Sequence, residues 1–488
     1  MAKDMSDYDL IVIGGGSAGL VVAGGAAQLG ARVALVEKKA LGGDCLYTGC
    51  VPSKTFIRSA RFAADVHRAT DFGFAATALQ FGNGQFAAVT NRVARVIETV
   101  GEHDRPERFE SCGIQVIFAT PRFLSPYELE LTCNDGSSRT INAKRFCIST
   151  GSRPAVPPIK GLEEAGFITN EEVFDLKSLP EELIVLGGGP VGLELGQSFA
   201  RFGSRVTVVE MGERLLPKED EEVSASVEGV LRSEGIKILL NQKAVSASRK
   251  NGRKVLTIER EGNQHDMTAD EILVATGRRP NIDRLNLEAA GVKYDKQHIF
   301  TDKYLRTSAR HICAAGDVTG HFPFTHMAAY EASVVIRNSL LFWPLLQKTD
   351  FRVVPWTTFT DPEVARVGLT ENEAKEKFGA TKVQIYRSNF ADNDRAQAED
   401  ESRGFAKIVC TGLKNEIVGA HIIGSHAGEL IHEVVLAMKL KLSITALGSM
   451  IHVYPTLTQI NQQAGLDAIL KNLSAYKKWL SYYFRIWR

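Results

Sequence analysis

Runs of apolar residues alternate along this chain with stretches that carry an apolar face at helical spacing. Residues 8–13 (YDLIVI) read as a strand of a parallel sheet buried on both faces. A glycine-rich turn follows, then a helix of small residues to Leu29, then a second strand from Arg32 to Val36 that ends at Glu37. An apolar-periodic run from Thr55 to Ala69 predicts a helix, with further helical stretches to about Phe109. Strand-like runs at 114–118, 128–132 and 145–149 lead into a Pro-rich segment, Pro154 to Ile159, that reads as a domain crossing. The strand–turn–helix–strand order then returns, from Leu183–Leu186 to Val206–Val209, ending at Glu210. A helix and short strands alternate over 220–260, Ile272–Thr276 is a strand, and Thr325 opens another helix. From about Val353 the mixture of strands and helices, with a Gly/His-rich patch at 419–429, suggests an α+β domain. Met450 to Gln459 reads as a loop leading into a short helix.

The two repeated units carry matching glycine turns. Gly14-Gly15-Gly16-Ser17-Ala18-Gly19 lies 23 positions ahead of Glu37, counted from its first glycine, and Gly187-Gly188-Gly189-Pro190-Val191-Gly192 lies 23 ahead of Glu210. Strand before, helix after and an acid about 20 residues on are the context a dinucleotide site needs. Gly14 and Gly187 serve the tight turn, Gly16 and Gly189 the approach of a pyrophosphate, and Gly19 and Gly192 close helix–strand packing. Glu37 and Glu210 are placed for ribose hydroxyls, and Glu210 favours NADH over NADPH, with Arg214 four residues on as a counter-indication. Ser149-Thr150-Gly151-Ser152-Arg153-Pro154 is echoed by Ala275-Thr276-Gly277-Arg278-Arg279-Pro280-Asn281, and both read as turns that close a nucleotide-binding unit. In Ile312–Val318, Asp317 follows small residues at a strand end, suited to a ribitol hydroxyl. The helix opened by Thr325-His326-Met327-Ala328 can stabilise negative charge on a flavin ring.

The expected fold class is therefore α/β, with two Rossmann-type dinucleotide-binding domains and a C-terminal α+β domain. The boundaries read as 1–155 for the first part of an FAD-binding domain, 156–280 for an NAD(P)-binding domain and 281–350 for the second part of the FAD-binding region. They continue as 351–470 for the α+β domain and 471–488 for a tail.

A length of 488 residues suits about three domains, and 44% hydrophobic with 24% charged residues is ordinary for a globular chain. A net charge of +1 gives no nucleic-acid footprint. Ile11 to Ala31 lacks charges over a length that could span a bilayer, but its seven glycines belong to the dinucleotide turn and its helix. The start of the chain carries acids and has no signal-peptide character. Of seven cysteines, Cys112, Cys133, Cys147, Cys313 and Cys410 are scattered singly, without metal-ligand spacing, and are expected as small core residues. This usage fits a reducing, cytoplasmic compartment. The tail from Leu470 is dense in aromatics (Tyr476, Trp479, Tyr482, Tyr483, Phe484, Trp487) and bases (Lys471, Lys477, Lys478, Arg485, Arg488). Such a helix suits a membrane surface, and equally a C-terminal helix packed on its own domain or on a partner subunit.

The remaining two cysteines stand together. Cys45 and Cys50 lie just ahead of the helix predicted from Thr55, and Pro52 suits its first turn. Cys50 thus falls at a helix N-terminus, where a thiolate is easier to form. The pair reads as a redox-active dithiol; a structural disulfide and two unrelated buried cysteines are the alternatives.

With these pieces in place, residues 7–470 resemble the class I pyridine nucleotide–disulfide oxidoreductases, which include dihydrolipoyl dehydrogenase, glutathione reductase and mercuric reductase. GGDCLYTGCVPSK is similar to that family's active-site signature, ICAAGDV to its second FAD motif and VPWTTFTDPEVARVGLTE to the start of its dimerisation domain. The resemblance implies FAD and NAD(P)H as cofactors and a homodimer as the assembly. It assigns Cys50 to the flavin side and Cys45 to the attack on an acceptor, and pairs Lys54 near the flavin with Glu194. It also places the MIHVYPTLTQ loop against the partner subunit's dithiol.

That loop departs from the pattern. Disulfide reductases of the family carry His-Pro-Thr-x-x-Glu, where this chain has Tyr454-Pro455-Thr456-Leu457-Thr458-Gln459. Tyrosine, titrating near 10, is a poor base at neutral pH, and Gln459 lacks the charge that supports an imidazolium. In an extended segment His452 would sit about 6.6 Å along the chain from Tyr454, too far for the same hydrogen bond. Mercuric reductases also lack this His, since a soft metal ion needs thiolate ligands rather than a proton donor. Phe484-Arg485-Ile486-Trp487-Arg488, however, offers no soft ligand. The expected acceptor is a metal ion or a quinone; the alternatives are a dihydrolipoyl dehydrogenase-type disulfide reductase and, from another class, a membrane-peripheral redox sensor or electron-transfer partner.

Overall fold

The computed structural model describes residues 6–75, 82–133, 135–474 and 477–487. Its first sheet has seven strands in the order Ile312–Ala314, Phe146–Ile148, Leu10–Ile13, Val33–Glu37, Ile114–Ser125, Glu128–Cys133, Ser138–Asn142. The first five run parallel and the last three form an antiparallel meander. Leu10, Ile11, Val12 and Ile13 are all buried, as a central parallel strand with no polar position requires. The sheet puts Ala314, Ile148, Ile13 and Val36 on neighbouring strands, so their C-terminal ends open onto one crevice.

The second unit is a four-stranded parallel sheet, ordered Lys237–Leu239, Arg205–Val209, Glu182–Leu186, Glu271–Val274, beside an antiparallel layer of Lys243–Lys250, Arg253–Arg260 and Asn263–Ala269. The two echoing turns meet as an antiparallel ribbon, with Arg278 opposite Pro154 and Pro280 opposite Ser152. Entry to and exit from the second unit are therefore zipped together. A third sheet, ordered Pro355–Thr358, Glu363–Gly368, Glu416–Gly424, Phe405–Thr411, Val383–Asn389, is antiparallel throughout.

The helix after the dithiol starts earlier than the periodicity suggests. It runs Cys50–His67 and begins at the second cysteine itself. Pro52 is tolerated because first-turn N–H groups have no intrahelical partner. Phe56 on this helix is fully buried, with ring centroids 5.0 Å from Phe202 and 5.3 Å from Phe199 of the second unit. On its other side Arg61 Nη2 donates to Glu401 Oε1 at 2.9 Å and to Ser425 Oγ at 3.0 Å. One helix thus links the dithiol to two other parts of the chain.

The scattered cysteines divide. Cys147, Cys313 and Cys410 are buried and Cys133 is half-buried against a core cluster, whereas Cys112 is exposed, which corrects its reading as a core residue. Cys112 falls in the turn after the short helix Pro106–Ser111, whereas Cys133 ends its strand on the face of buried Leu129 and Leu131 and packs at the rim of that core. The tail forms a helix, Lys477–Trp487; Tyr476 and Arg488 lie outside the described residues. No described helix is long and apolar enough to cross a membrane.

Candidate active site

Both glycine turns fold alike. Gly14 and Gly187 take φ of +104° and +110°, and a Cβ at either would fall 2.4 Å from Ser149 O or 2.5 Å from Ala275 O. At Gly19 and Gly192 a Cβ would run into the carbonyl of the unit's first glycine, which keeps helix and strand in close contact. Gly16 and Gly189 point their missing side chains the other way, the first with nothing nearer than Gly43 Cα at 3.7 Å and the second into open space. Each precedes a helix, Ser17–Gln28 or Pro190–Arg201, whose N-terminus has no side-chain cap, so its N–H groups are left to a ligand. This pair of open, uncapped turns fits the diphosphates of two dinucleotides.

The acids at the second strands are anchored by backbone. Glu37 accepts from Gly15 N at 2.7 Å and from Lys38 and Lys39 N, and Glu210 accepts from Gly188 N and Gly212 N, both at 2.6 Å. Gly14, Glu37, Thr150 and Asn281 line one cavity of about 360 Å³. Thr150 Oγ1 donates to Asn281 O at 2.7 Å, Gly151 O accepts from Asn281 N, and Gly277 O accepts from Ala155 N, so the two crossing turns brace one another.

Cys50 and Cys45 are both free thiols, the first exposed and the second half-buried. The Cys50 thiol is pulled down to about 6 by the hydrogen bond from Cys45 and by Thr325 and the charge of Lys54, against the cost of burial. Cys45 moves the opposite way, because it donates to Cys50 and is partly buried. Thr325 Oγ1 lies 3.2 Å from Cys50 Sγ, which brings the start of the helix Thr325–Leu340 to the dithiol. His326 Nε2 donates to Pro355 O at 2.8 Å, and Ala328 is buried. Burial holds the His326 ring below its ordinary pKa.

Lys54 Nζ lies 2.9 Å from Glu194 Oε2 and 4.3 Å from the centroid of the Phe359 ring. Glu194 is buried on the Pro190–Arg201 helix, and its other oxygen accepts from Phe359 N at 2.8 Å. The second dinucleotide helix therefore contributes its carboxylate to the dithiol region of the first.

Arg278 is a residue that spacing did not single out for this site. Its Nη2 donates to Asp44 Oδ2 at 3.0 Å and its Nε to Ser152 Oγ at 2.7 Å, while Ser152 in turn donates to Asp317. Burial raises the Asp317 carboxyl above its ordinary value. Arg278 thus ties the turn that carries Cys45 to the strand end that carries Asp317. The echo of the two Arg-Pro turns was the visible signal, but not its target.

The C-terminal loop, between the helices Ile444–Ser449 and Gln459–Ser474, offers no free general base. Tyr454 Oη donates to Asp394 Oδ2 at 3.0 Å, which raises its pKa further. Gln459 Oε1 accepts from Thr456 N at 3.3 Å. His452 is turned away: Nε2 meets Glu433 Oε1 at 2.9 Å and Nδ1 meets Met450 O at 3.1 Å. The segment pairs with no described strand, and the ring is committed through both nitrogens. Ile451, Val453 and Tyr454 are 96%, 76% and 67% exposed, an apolar rim on the single chain.

Residues 8–332 match the family model described as pyridine nucleotide-disulphide oxidoreductase, and residues 354–464 match its dimerisation domain. A mercuric reductase of Staphylococcus aureus is 34% identical over 454 residues, covering 93% of this chain and 81% of that protein. A dihydrolipoyl dehydrogenase of Bacillus subtilis is 32% identical over 472 residues, covering 95% and 98%. Among solved structures, the Cu(II) complex of the HOCl-induced flavoprotein disulfide reductase RclA from Escherichia coli superposes with a TM-score of 0.82 at 28% identity, covering 95% of this chain and all of that one. Two glycine turns, a dithiol at a helix start and a dimerisation sheet agree with these matches, and the chain belongs to the pyridine nucleotide-disulphide oxidoreductases, FAD-dependent enzymes whose dimerisation domain supports a homodimer.

Proposed function

We propose that this enzyme uses NADH to reduce, through FAD and the Cys45–Cys50 dithiol, an acceptor that needs thiolate contact rather than a proton, foremost a soft metal ion. In this reading residues 1–155 and 281–350 hold FAD, 156–280 hold NADH and 351–470 form the dimer. Gly14, Gly16, Gly19 and Glu37 take the adenosine diphosphate of FAD, Thr150 and Gly151 close its cavity, and Asp317 takes a ribitol hydroxyl. His326 and Ala328 open the helix that faces the ring. Gly187, Gly189, Gly192, Glu210 and Gly277 frame the nicotinamide dinucleotide. A carboxylate pinned by two backbone N–H groups repels a 2′-phosphate, which supports NADH.

Bound FAD supplies the two-electron transfer itself. The chain's part is to hold Cys50 as a thiolate, with Cys45 as its hydrogen-bond donor and Lys54, ion-paired with Glu194, as a nearby cation. The observation that carries the choice of acceptor is the state of the loop: Tyr454 donates to Asp394, and His452 is committed to Glu433. A leaving thiol would find no proton donor of matched pKa there, whereas a metal ion held by two sulfurs needs none. The mercuric reductase relative and the copper complex of the solved flavoprotein support this class. The near full-length similarity to a dihydrolipoyl dehydrogenase supports the second reading, reduction of a dithiolane.

An acceptor panel of lipoamide, glutathione disulfide, Hg²⁺, Cu²⁺, a quinone and oxygen, run with NADH and NADPH, tests this. Metal-ion turnover should exceed disulfide turnover by about 10²-fold or more, the scale of a missing acid–base group. Rapid lipoamide turnover would replace the first reading by the second, and a quinone preference would move the acceptor to a non-metal class.

A further inference from the structure

We propose that the helix Lys477–Trp487 docks this enzyme on a bilayer surface that contains anionic phospholipid. The helix segregates its residues. Lys477, Ser481 and Arg485 recur every four positions along one stripe, and Trp479, Tyr483 and Trp487 recur every four along the opposite one. Tyr483 and Trp487 stack, with centroids 6.0 Å apart. Trp479, Ile486 and Trp487 are 77%, 68% and 78% exposed, and every described side chain of the helix is exposed, so the described residues of its own chain leave the apolar stripe uncovered.

Composition selects the occupant. From Ala468 onward the sequence holds five bases and no acid, within a chain whose net charge is only +1. A positive stripe beside an apolar one matches anionic headgroups above acyl chains. The apolar stripe is built from indole and phenol rings, which favour the headgroup boundary, rather than from the leucines and alanines of a packed helix pair. A second copy would offer only another aromatic face flanked by the same positive charge. Eleven residues span roughly 16 Å as a helix, about half a bilayer core, so the helix lies along the surface. The docking is independent of which acceptor the dithiol serves.

The test is co-sedimentation of the FAD-loaded enzyme with vesicles of phosphatidylcholine, pure or containing about a third phosphatidylserine. Partition should be at least about tenfold stronger on the anionic vesicles and should fall at high salt. Trp479→Ser with Trp487→Ser should abolish it on both, and Lys477→Glu with Arg485→Glu should abolish the preference for anionic lipid, with NADH oxidation unchanged in each. No partition by the parent enzyme, or partition equal in both double variants, would overturn the proposal. So would a loss of dimer mass in the Trp variant, which would make this helix a contact between subunits.

Discussion

Cys50, proposed as the thiolate, and Tyr454, proposed to stand where a proton donor would be needed, have surroundings that are opposite in kind. Around Cys50 a donating Cys45, the Thr325 hydroxyl and the Lys54 ammonium favour the charged form and outweigh burial and the Asp44 carboxylate. Tyr454 instead donates to Asp394, a carboxylate that keeps the proton on the phenol. The nearby histidine is spent on Glu433, itself held by Asn461 Nδ2 at 2.8 Å. Nucleophile and proton donor are therefore separable parts. This chain has the electrostatics for a thiolate without those for protonating a leaving thiol.

The largest test removes the prepared side. Cys50→Ser should abolish the long-wavelength thiolate–flavin absorbance formed with anaerobic NADH and lower acceptor turnover by about 10³-fold or more. A wild-type enzyme without that band would sink the contrast at once. Restoring the other side comes next. Tyr454→His combined with Gln459→Glu should raise lipoamide or glutathione disulfide turnover by about 10–10²-fold, part of a full general acid–base contribution, and leave metal-ion turnover nearly unchanged. Equal effects on both acceptors would place Tyr454 away from the proton-transfer position.

A pH profile sharpens the comparison further. A depressed thiol is charged above its pKa and protonated below it, so iodoacetamide labelling of Cys50 in the reduced enzyme should reach half its plateau near pH 6 and fall off in more acid solution. An ordinary cysteine would show its midpoint near 8.5, and mass spectrometry of the Cys50 peptide separates it from the exposed Cys112. The smallest effect is expected from Lys54→Met. Its ammonium is already paired with Glu194 and is 36% exposed, so the midpoint should rise by less than about one pH unit.

Local chemistry made much of this protein legible. Matched glycine turns, the strands that feed them and a cysteine at a helix start are written within short stretches, because turn geometry and helical periodicity depend on near neighbours. Composition likewise marked the tail as amphipathic. The loop's Tyr454 and Gln459 were readable as departures only against a family pattern. What Tyr454 and the neighbouring His452 do instead was not, since Asp394 and Glu433 reach them from other elements. The same holds for Arg278, which joins Asp44 to Ser152 across 234 and 126 residues of sequence, and for Phe56, which seats the dithiol helix on Phe199 and Phe202. Those pairings follow from how sheets and helices pack in three dimensions, and a side chain's partner across such a distance is set by packing angles and burial rather than by any interval along the chain.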